Sequence, residues 1–391
     1  MRQAWRWYGA DDPVTLDHVR QAGAHEIVTA LHQFAPGEAW PRAAVAERKA
    51  IIETTPAGRV LLKWTVVESI PVPDDILLQG ARATSLPAWI ASMEAVAAEG
   101  IRVICYNVMP VVDWTRTDLD FPMPTGATAL RFDQDRFAAF DLYVLKRAGA
   151  EADYDAGTRA RARKAFDVMG AAEIETLTRN ISAGLPGAMT SSKNLEAFAE
   201  RIASYKGVTP DVMRANVAAF LSKVTPVAEQ LGVRLTLHPD DPPRPLFGLP
   251  RIASTASDYK ALFDAVPSVA NGICLCVGSL GARPDNNVVA MARDFGPRIH
   301  FAHLRSTRID AGGESFTEAD HLDGDVNMID VLRVLVAENA RREPAWRIPF
   351  RPDHGHRMLD DIEKTRINPG YTGIGRLKGL AELRGAIRAL Q

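Results

Sequence analysis

Cysteine is scarce in this 391-residue chain: Cys105, Cys274 and Cys276 are the only three. Three thiols cannot build a disulfide framework, so the fold has to rest on a packed core, and the thiols read as reduced, one of them a candidate ligand. Long apolar runs are missing as well. No stretch reaches the roughly 18 consecutive apolar residues of a membrane span, and Met1-Arg2-Gln3-Ala4-Trp5-Arg6-Trp7 has no apolar h-region. No membrane association and a cytoplasmic location are therefore expected. Charge of one sign is not in excess either. The 46 basic residues face 48 acidic ones with no long basic run, which argues against a nucleic-acid partner. Phosphate-cradling glycine patterns are also absent. Gly370, Gly373 and Gly375 lack the G-x-G-x-x-G spacing, and no Gly-x-x-x-x-Gly-Lys-Ser/Thr loop occurs, so no nucleotide cofactor is expected.

What is present is an ordinary enzyme composition, 47% apolar and 24% charged, arranged as short apolar runs alternating with amphipathic stretches. Eight runs read as strands: Trp5 to Tyr8, Glu26 to Leu31, Val60 to Val67, Ile101 to Asn107, Val233 to Leu237, Gly272 to Cys276, Ile299 to Leu304 and Ile348 to Arg351. Helical patterns lie between them. Asp11-Asp12-Pro13 is expected to cap the first, which stops at Gly23, and others fall at Arg42 to Thr54, Leu86 to Glu99, Asp211 to Leu231, Ser257 to Val266, Asn287 to Phe295 and Met328 to Ala340. Asp310 to Asp325 reads as a polar loop. Between Met109 and Met213 no convincing strand is visible, and the charged, alanine-rich stretches there suggest a mostly helical insertion after strand four. Eight strands alternating with helices predict a single (β/α)8 TIM barrel over residues 1-391, including the insertion at about 109-213.

Chemistry-bearing residues gather at strand ends. Arg351-Pro352-Asp353-His354-Gly355-His356 packs a guanidinium, a carboxylate and two imidazoles behind one apolar run, and three other runs end at His238, Cys276 and His303. Alternation puts Asp353 with Arg351 on one face, His303 with Phe301 and Arg305 on another, and Cys276 with Cys274 on a third. If these faces point inward, His238, Cys276, His303 and Asp353 share one rim, on strands about 4.8 Å apart. Two imidazoles, a thiolate and a carboxylate are too soft for Ca2+ or Mg2+ and suit Mn2+, Fe2+, Co2+ or Zn2+. Each member also has a blander reading as a packed or hydrogen-bonded side chain.

His354, beside Asp353, is a candidate proton-transfer group or a support for that aspartate, since an imidazole titrates near roughly 6.5. Tyr371, in a glycine-rich loop, is a second such candidate, with plain packing as its alternative. Arg305, Arg351 and Arg116 have the fork geometry to hold a substrate carboxylate, with surface pairing the alternative for Arg116. Asn107 and Tyr8 end strands four and one and are candidate hydroxyl contacts. Asp113 to Asp118 is placed to cover the mouth of the site. His356, His18 and His25 read as structural, and His32 stays open.

Several longer motifs carry a family resemblance: Cys105-Tyr106-Asn107, Asp113-Trp114-Thr115-Arg116-Thr117-Asp118, His238-Pro239-Asp240-Asp241-Pro242-Pro243-Arg244, His303-Leu304-Arg305-Ser306-Thr307, Arg351 to His356, and Asn368-Pro369-Gly370-Tyr371 to Leu380. Through them the chain resembles D-mannonate dehydratases of the UxuA type, lyases of hexuronate and glucuronate breakdown related to xylose-isomerase-like barrels. The resemblance implies one Mn2+ or Fe2+ ion on His238, Cys276, His303 and Asp353, with proton transfer by His354 and Tyr371. Cys276 is preferred over Cys274 as the nearer to the strand's carboxyl end. The implied reaction converts D-mannonate to 2-keto-3-deoxy-D-gluconate and water, by loss of the C2 proton and the C3 hydroxyl. A sugar isomerase or epimerase is the competing enzyme, and a non-catalytic sugar-acid binding protein the competing class. A homodimer or higher homo-oligomer is expected.

Overall fold

Strands buried on both faces have no solvent side to mark with polar residues, and that is the condition met by the central sheet. A computed structural model describes residues 1–183 and 192–391. Its core strands are β1 (Arg2–Arg6), β2 (Glu26–Thr29), β3 (Lys63–Glu68), β4 (Val103–Tyr106), β5 (Arg234–Leu237), β6 (Asn271–Cys276), β7 (Ile299–His303) and β8 (Pro349–Arg351). They close into a barrel in chain order, every neighbouring pair parallel. Inside lies a narrow layer of Ala4, Val28, Val66, Val103, Cys105, Cys274 and Phe301. The opposite faces of the same strands, with Trp5, Ile27, Val67, Ile104, Leu235, Ile273, Leu275 and Ala302, join the larger core under the helices. All eight expected strands are therefore present, their ends within a few residues of the sequence reading.

Register fixes the rim. Cys276 pairs with His303 and His303 with Arg351 across three adjacent strands, so these side chains leave the barrel at one level. The helices mostly follow the expected pattern, with one shifted start. The first runs Leu16–Ala22 and is capped by Thr15, whose side chain accepts from the His18 N–H. Asp12 does not cap it: its carboxylate accepts from the backbone N–H groups of Tyr8 and Val14 and ties down the loop above β1.

Two corrections concern the connections above the barrel. The insertion is helical at Gln134–Ala139, Ala156–Asp167, Ala171–Ser182 and Ser192–Ala203, yet it also holds two strands, Asp118–Pro122 and Thr128–Phe132. The stretch read as a polar loop supplies two more, Ser306–Ile309 and Phe316–Ala319, and the four form one antiparallel sheet. The part of the expected insertion at 184–191 lies outside the described residues. The third difference is at the end of the chain, where the glycine-rich stretch enters a helix, Gly373–Ala389. Its glycines serve close approach: a Cβ at Gly375 would strike the His356 backbone, and one at Gly379 the His321 ring. Among the described residues no helix is long and apolar enough to cross a membrane.

Candidate active site

His238 follows the last residue of β5. Its Nδ1 lies 2.7 Å from the Pro239 carbonyl, which only accepts, so the proton sits on Nδ1 and Nε2 is left as a donor atom. That Nε2 is 3.1 Å from His303 Nδ1 at the end of β7. Cys276 ends β6 with its Sγ 3.8 Å from Asp353 Oδ2, and Asp353 Oδ2 is itself 3.8 Å from His303 Nδ1. Ligand atoms of Cys276, His303 and Asp353 all fall within 4.8 Å of one another, as do those of His238, Cys274 and His303. The four expected ligands thus fall into two groups that share His303: Cys276 and Asp353 are grouped with it, while His238 is grouped with it and with Cys274, two residues earlier on β6.

Electrostatics separates the two cysteines. Burial opposes ionisation of Cys276, but Arg305 and the neighbouring His238 and His303 outweigh it and hold its thiol well below the ordinary range. Burial and the neighbouring Cys105 push Cys274 well above it. Asp353 is likewise held well below the usual carboxylate range, burial being overcome by Arg351, His354 and His303. A thiolate, a carboxylate and two imidazole nitrogens form a donor set suited to a divalent transition metal, and the residues present fit such an ion.

Asp353 has a φ of 69°, in the left-handed region. In an extended chain it and His354 would point to opposite sides; this turn brings His354 Nε2 to 3.8 Å from Asp353 Oδ1. Tyr371 meets His354 edge-on at 4.8 Å between ring centroids, and Tyr8 meets Tyr371 at 5.0 Å. Burial pushes the Tyr371 phenol well above its ordinary range, with Tyr8 adding to the shift, so it keeps its proton at neutral pH. Tyr8, Asn107, Trp114 and Tyr371 are each partly exposed around the mouth. Asn107 donates to Asp113 at 3.0 Å, and His32 stacks on Tyr8 at 5.7 Å.

The three arginines are all buried and paired. Arg351 contacts Asp353 and reaches Glu68 at 2.8 Å. Arg305 holds Asp241 Oδ2 at 2.8 Å, Ser279 at 2.7 Å and Glu318 at 2.5 Å, and its Nε is 3.0 Å from Asp353. Arg116, completely enclosed, grips both oxygens of Asp241 at 2.8 and 3.0 Å and Glu318 at 2.9 Å. Three carboxylates that the sequence reading did not place in the site thus belong to it. Glu68 ends β3 as His238 follows β5, and Asp241 sits in the same motif as His238, so strand-end position was a usable signal for both. Glu318 gave none, because it lies in the stretch read as a loop.

Fold and site together define an enzyme of the (β/α)8-barrel class, with the candidate site at the carboxyl ends of the strands. The family model for D-mannonate dehydratase (UxuA) matches residues 1–391. A mannonate dehydratase of Brucella canis is 57% identical over 391 residues, covering all of this chain and 97% of its own. One from Chromohalobacter salexigens is 52% identical over 394 residues, covering all of this chain and 99% of its own. Among solved structures, the mannonate dehydratase of Streptococcus suis serotype 2 superposes with a TM-score of 0.77 at 32% identity, covering all of this chain and 95% of its own. The chain belongs to the D-mannonate dehydratase family, and it is a hydro-lyase.

Proposed function

We propose that this enzyme removes water from D-mannonate to give 2-keto-3-deoxy-D-gluconate, in hexuronate breakdown, and that it does so with one divalent metal ion, Mn2+ or Fe2+. The observation that carries the reading is the grouping of Cys276, His303 and Asp353, with His238 beside His303, next to the imidazole of His354 and the phenol of Tyr371. His238, Cys276, His303 and Asp353 would hold the ion. When bound, it supplies Lewis-acid stabilisation of the negative charge that builds beside the substrate carboxylate as the C2 proton leaves.

The chain's own groups handle the protons. His354 and Tyr371 stand in edge-on contact, one to take the C2 proton and the other to protonate the departing C3 hydroxyl. Tyr8 and Asn107, open to the mouth, are assigned to the substrate hydroxyls, and Arg305 and Arg351 to its carboxylate end. Arg116 reaches the site only through Asp241 and Glu318, and we assign its effect to holding those two. A cytoplasmic homodimer or higher homo-oligomer goes with this reading.

The test is an assay of metal-stripped protein resupplied with Mn2+, against D-mannonate, other sugar acids and aldoses, scoring 2-keto-3-deoxy acid. Metal-dependent product from mannonate is the expected result. Isomerised aldose would move the chain to the isomerase reading, and tight metal binding without turnover to a binding protein.

A further inference from the structure

We propose that Glu318 is the positioning residue for His354: it fixes the proton on Nδ1 and leaves Nε2 as the nitrogen that accepts the C2 proton. The inference rests on the reading of His354 as a proton-transfer group and assigns its direction. Glu318 lies on Phe316–Ala319, an inner strand of the sheet above the barrel, and its side chain is 4% exposed. Its Oε1 and Oε2 are 2.8 and 2.9 Å from His354 Nδ1. An ionised carboxylate only accepts, so Nδ1 must donate.

The carboxylate is itself held in place. Arg116 and Arg305 both donate to Oε1, at 2.9 and 2.5 Å. They and His354 keep Glu318 ionised, at about 2, against the opposing effect of burial. The same residue grips the loop a second time, its backbone carbonyl accepting from His356 Nε2 at 2.9 Å. The sheet therefore clamps residues 354 and 356 together, and the imidazole has no freedom to exchange its two nitrogens. Nε2 is left on the side of Asp353 and the donor set.

With Nδ1 committed to Glu318, the nitrogen of His354 that can take a proton is Nε2, so His354 is the acceptor and Tyr371 the donor. The C2–H bond breaks and its proton goes to Nε2. The electron pair forms C2=C3 as the C3–O bond breaks, and the oxygen leaves as water with the phenol proton of Tyr371. The resulting enol ketonises at C2 by moving its hydroxyl proton to C3. Between turnovers the proton on Nε2 returns to the Tyr371 oxygen through solvent, which balances the cycle. Glu318 faces the imidazolium that forms midway, as the carboxylate does in a Ser-His-Asp triad.

Glu318→Gln tests this in the metal-loaded enzyme. The two guanidinium donors require oxygen at the Oε1 position, so the amide nitrogen replaces Oε2 and donates to Nδ1. That moves the ring proton to Nε2, on the reacting side. The expected result is a kcat lower by at least about 100-fold, with KM for D-mannonate within about twofold, bound metal unchanged, and no further loss when Glu318→Gln is added to His354→Asn. In Zn2+-loaded protein, 15N shifts should place the His354 proton on Nδ1 in the parent and on Nε2 in Glu318→Gln. An unchanged kcat, an equal fold-loss in both backgrounds, or unchanged 15N shifts would overturn the inference. Normal turnover by His354→Asn with metal bound would instead overturn the underlying reading of His354.

Discussion

Arg116→Met removes the strut between the insertion and the barrel while keeping most of the side chain's bulk. Arg116 is fully buried and bonded to Asp241 through both oxygens and to Glu318 through one. Breaking a buried ion pair by deleting one partner typically costs about 3–5 kcal/mol, because the remaining charge is left without compensation. Both carboxylates keep Arg305, and Glu318 also keeps His354, so the lower end, about 3 kcal/mol, is expected. At roughly 2.1 cal/mol/K per residue, a chain of this length unfolds with an entropy of about 0.8 kcal/mol/K, so Tm should fall by about 4 °C. Turnover should fall with it, since Glu318 loses one of its two guanidinium donors. The assay is differential scanning calorimetry with steady-state kinetics on D-mannonate. Arg116→Lys, which keeps the charge and loses the fork, should fall between parent and Arg116→Met. A variant with unchanged Tm and kcat but a KM raised more than about tenfold would refute the strut and make Arg116 a substrate contact.

Three further outcomes follow from the same geometry. Cys276→Ser should abolish stoichiometric Mn2+ retention, read by elemental analysis after dialysis, whereas Cys274→Ser should keep the metal; the reverse pattern would move the thiolate ligand one layer down. Glu318 is held at about 2 in the folded chain against an ordinary 4.5, so its contribution is complete above the ordinary value and disappears as pH falls from about 4.5 through 2. The shift corresponds to roughly 3 kcal/mol, and Tm should fall more steeply on acidification in the parent than in Glu318→Gln; parallel curves would contradict it. Gly379→Ala should destabilise by about 1–3 kcal/mol by driving a methyl into the buried His321 ring. Gly385→Ala on the same helix, where a Cβ meets nothing within 4 Å, should be neutral or stabilising by up to about 1 kcal/mol, and equal calorimetric losses would refute the packing argument.

The barrel was legible because its strands are buried on both sides. Val66-Val67, Ile104-Cys105 and Ile273-Cys274-Leu275 fill the interior with one set of side chains and meet the helices with the other, so each reads as a short apolar run. The strand-end placement of the candidate donor residues was legible for a related reason. His238, Cys276 and His303 stand where such runs stop, and a parallel barrel brings all its strand ends to one face. The sheet above the barrel offered no comparable signal. Asp118–Pro122 carries two aspartates and a proline and stays half exposed at a sheet edge, a composition that argues against a strand until its partners are known. Thr128–Phe132 and Phe316–Ala319 pair across nearly half of the chain, Phe132 opposite Phe316, and no local pattern reports a partner that far away.

What the sequence reading could not reach is therefore how the barrel rim is joined to the structure above it. Asp241 belongs to the loop after β5, Arg305 to the end of β7, Arg116 to the insertion and Glu318 to the added sheet, and the four charges pair with one another, Arg305 reaching Ser279 and Asp353 as well and Glu318 reaching His354. Read singly, each looks like a surface charge or a substrate contact; only the fold shows them as one buried, compensated group. That group has a direction. It runs from Arg116 through Glu318 to His354 Nδ1, so the insertion bears on the orientation of one imidazole. Substitutions along this line should therefore act on kcat through His354 before they act on substrate affinity, which is the pattern the Arg116 and Glu318 variants are chosen to show.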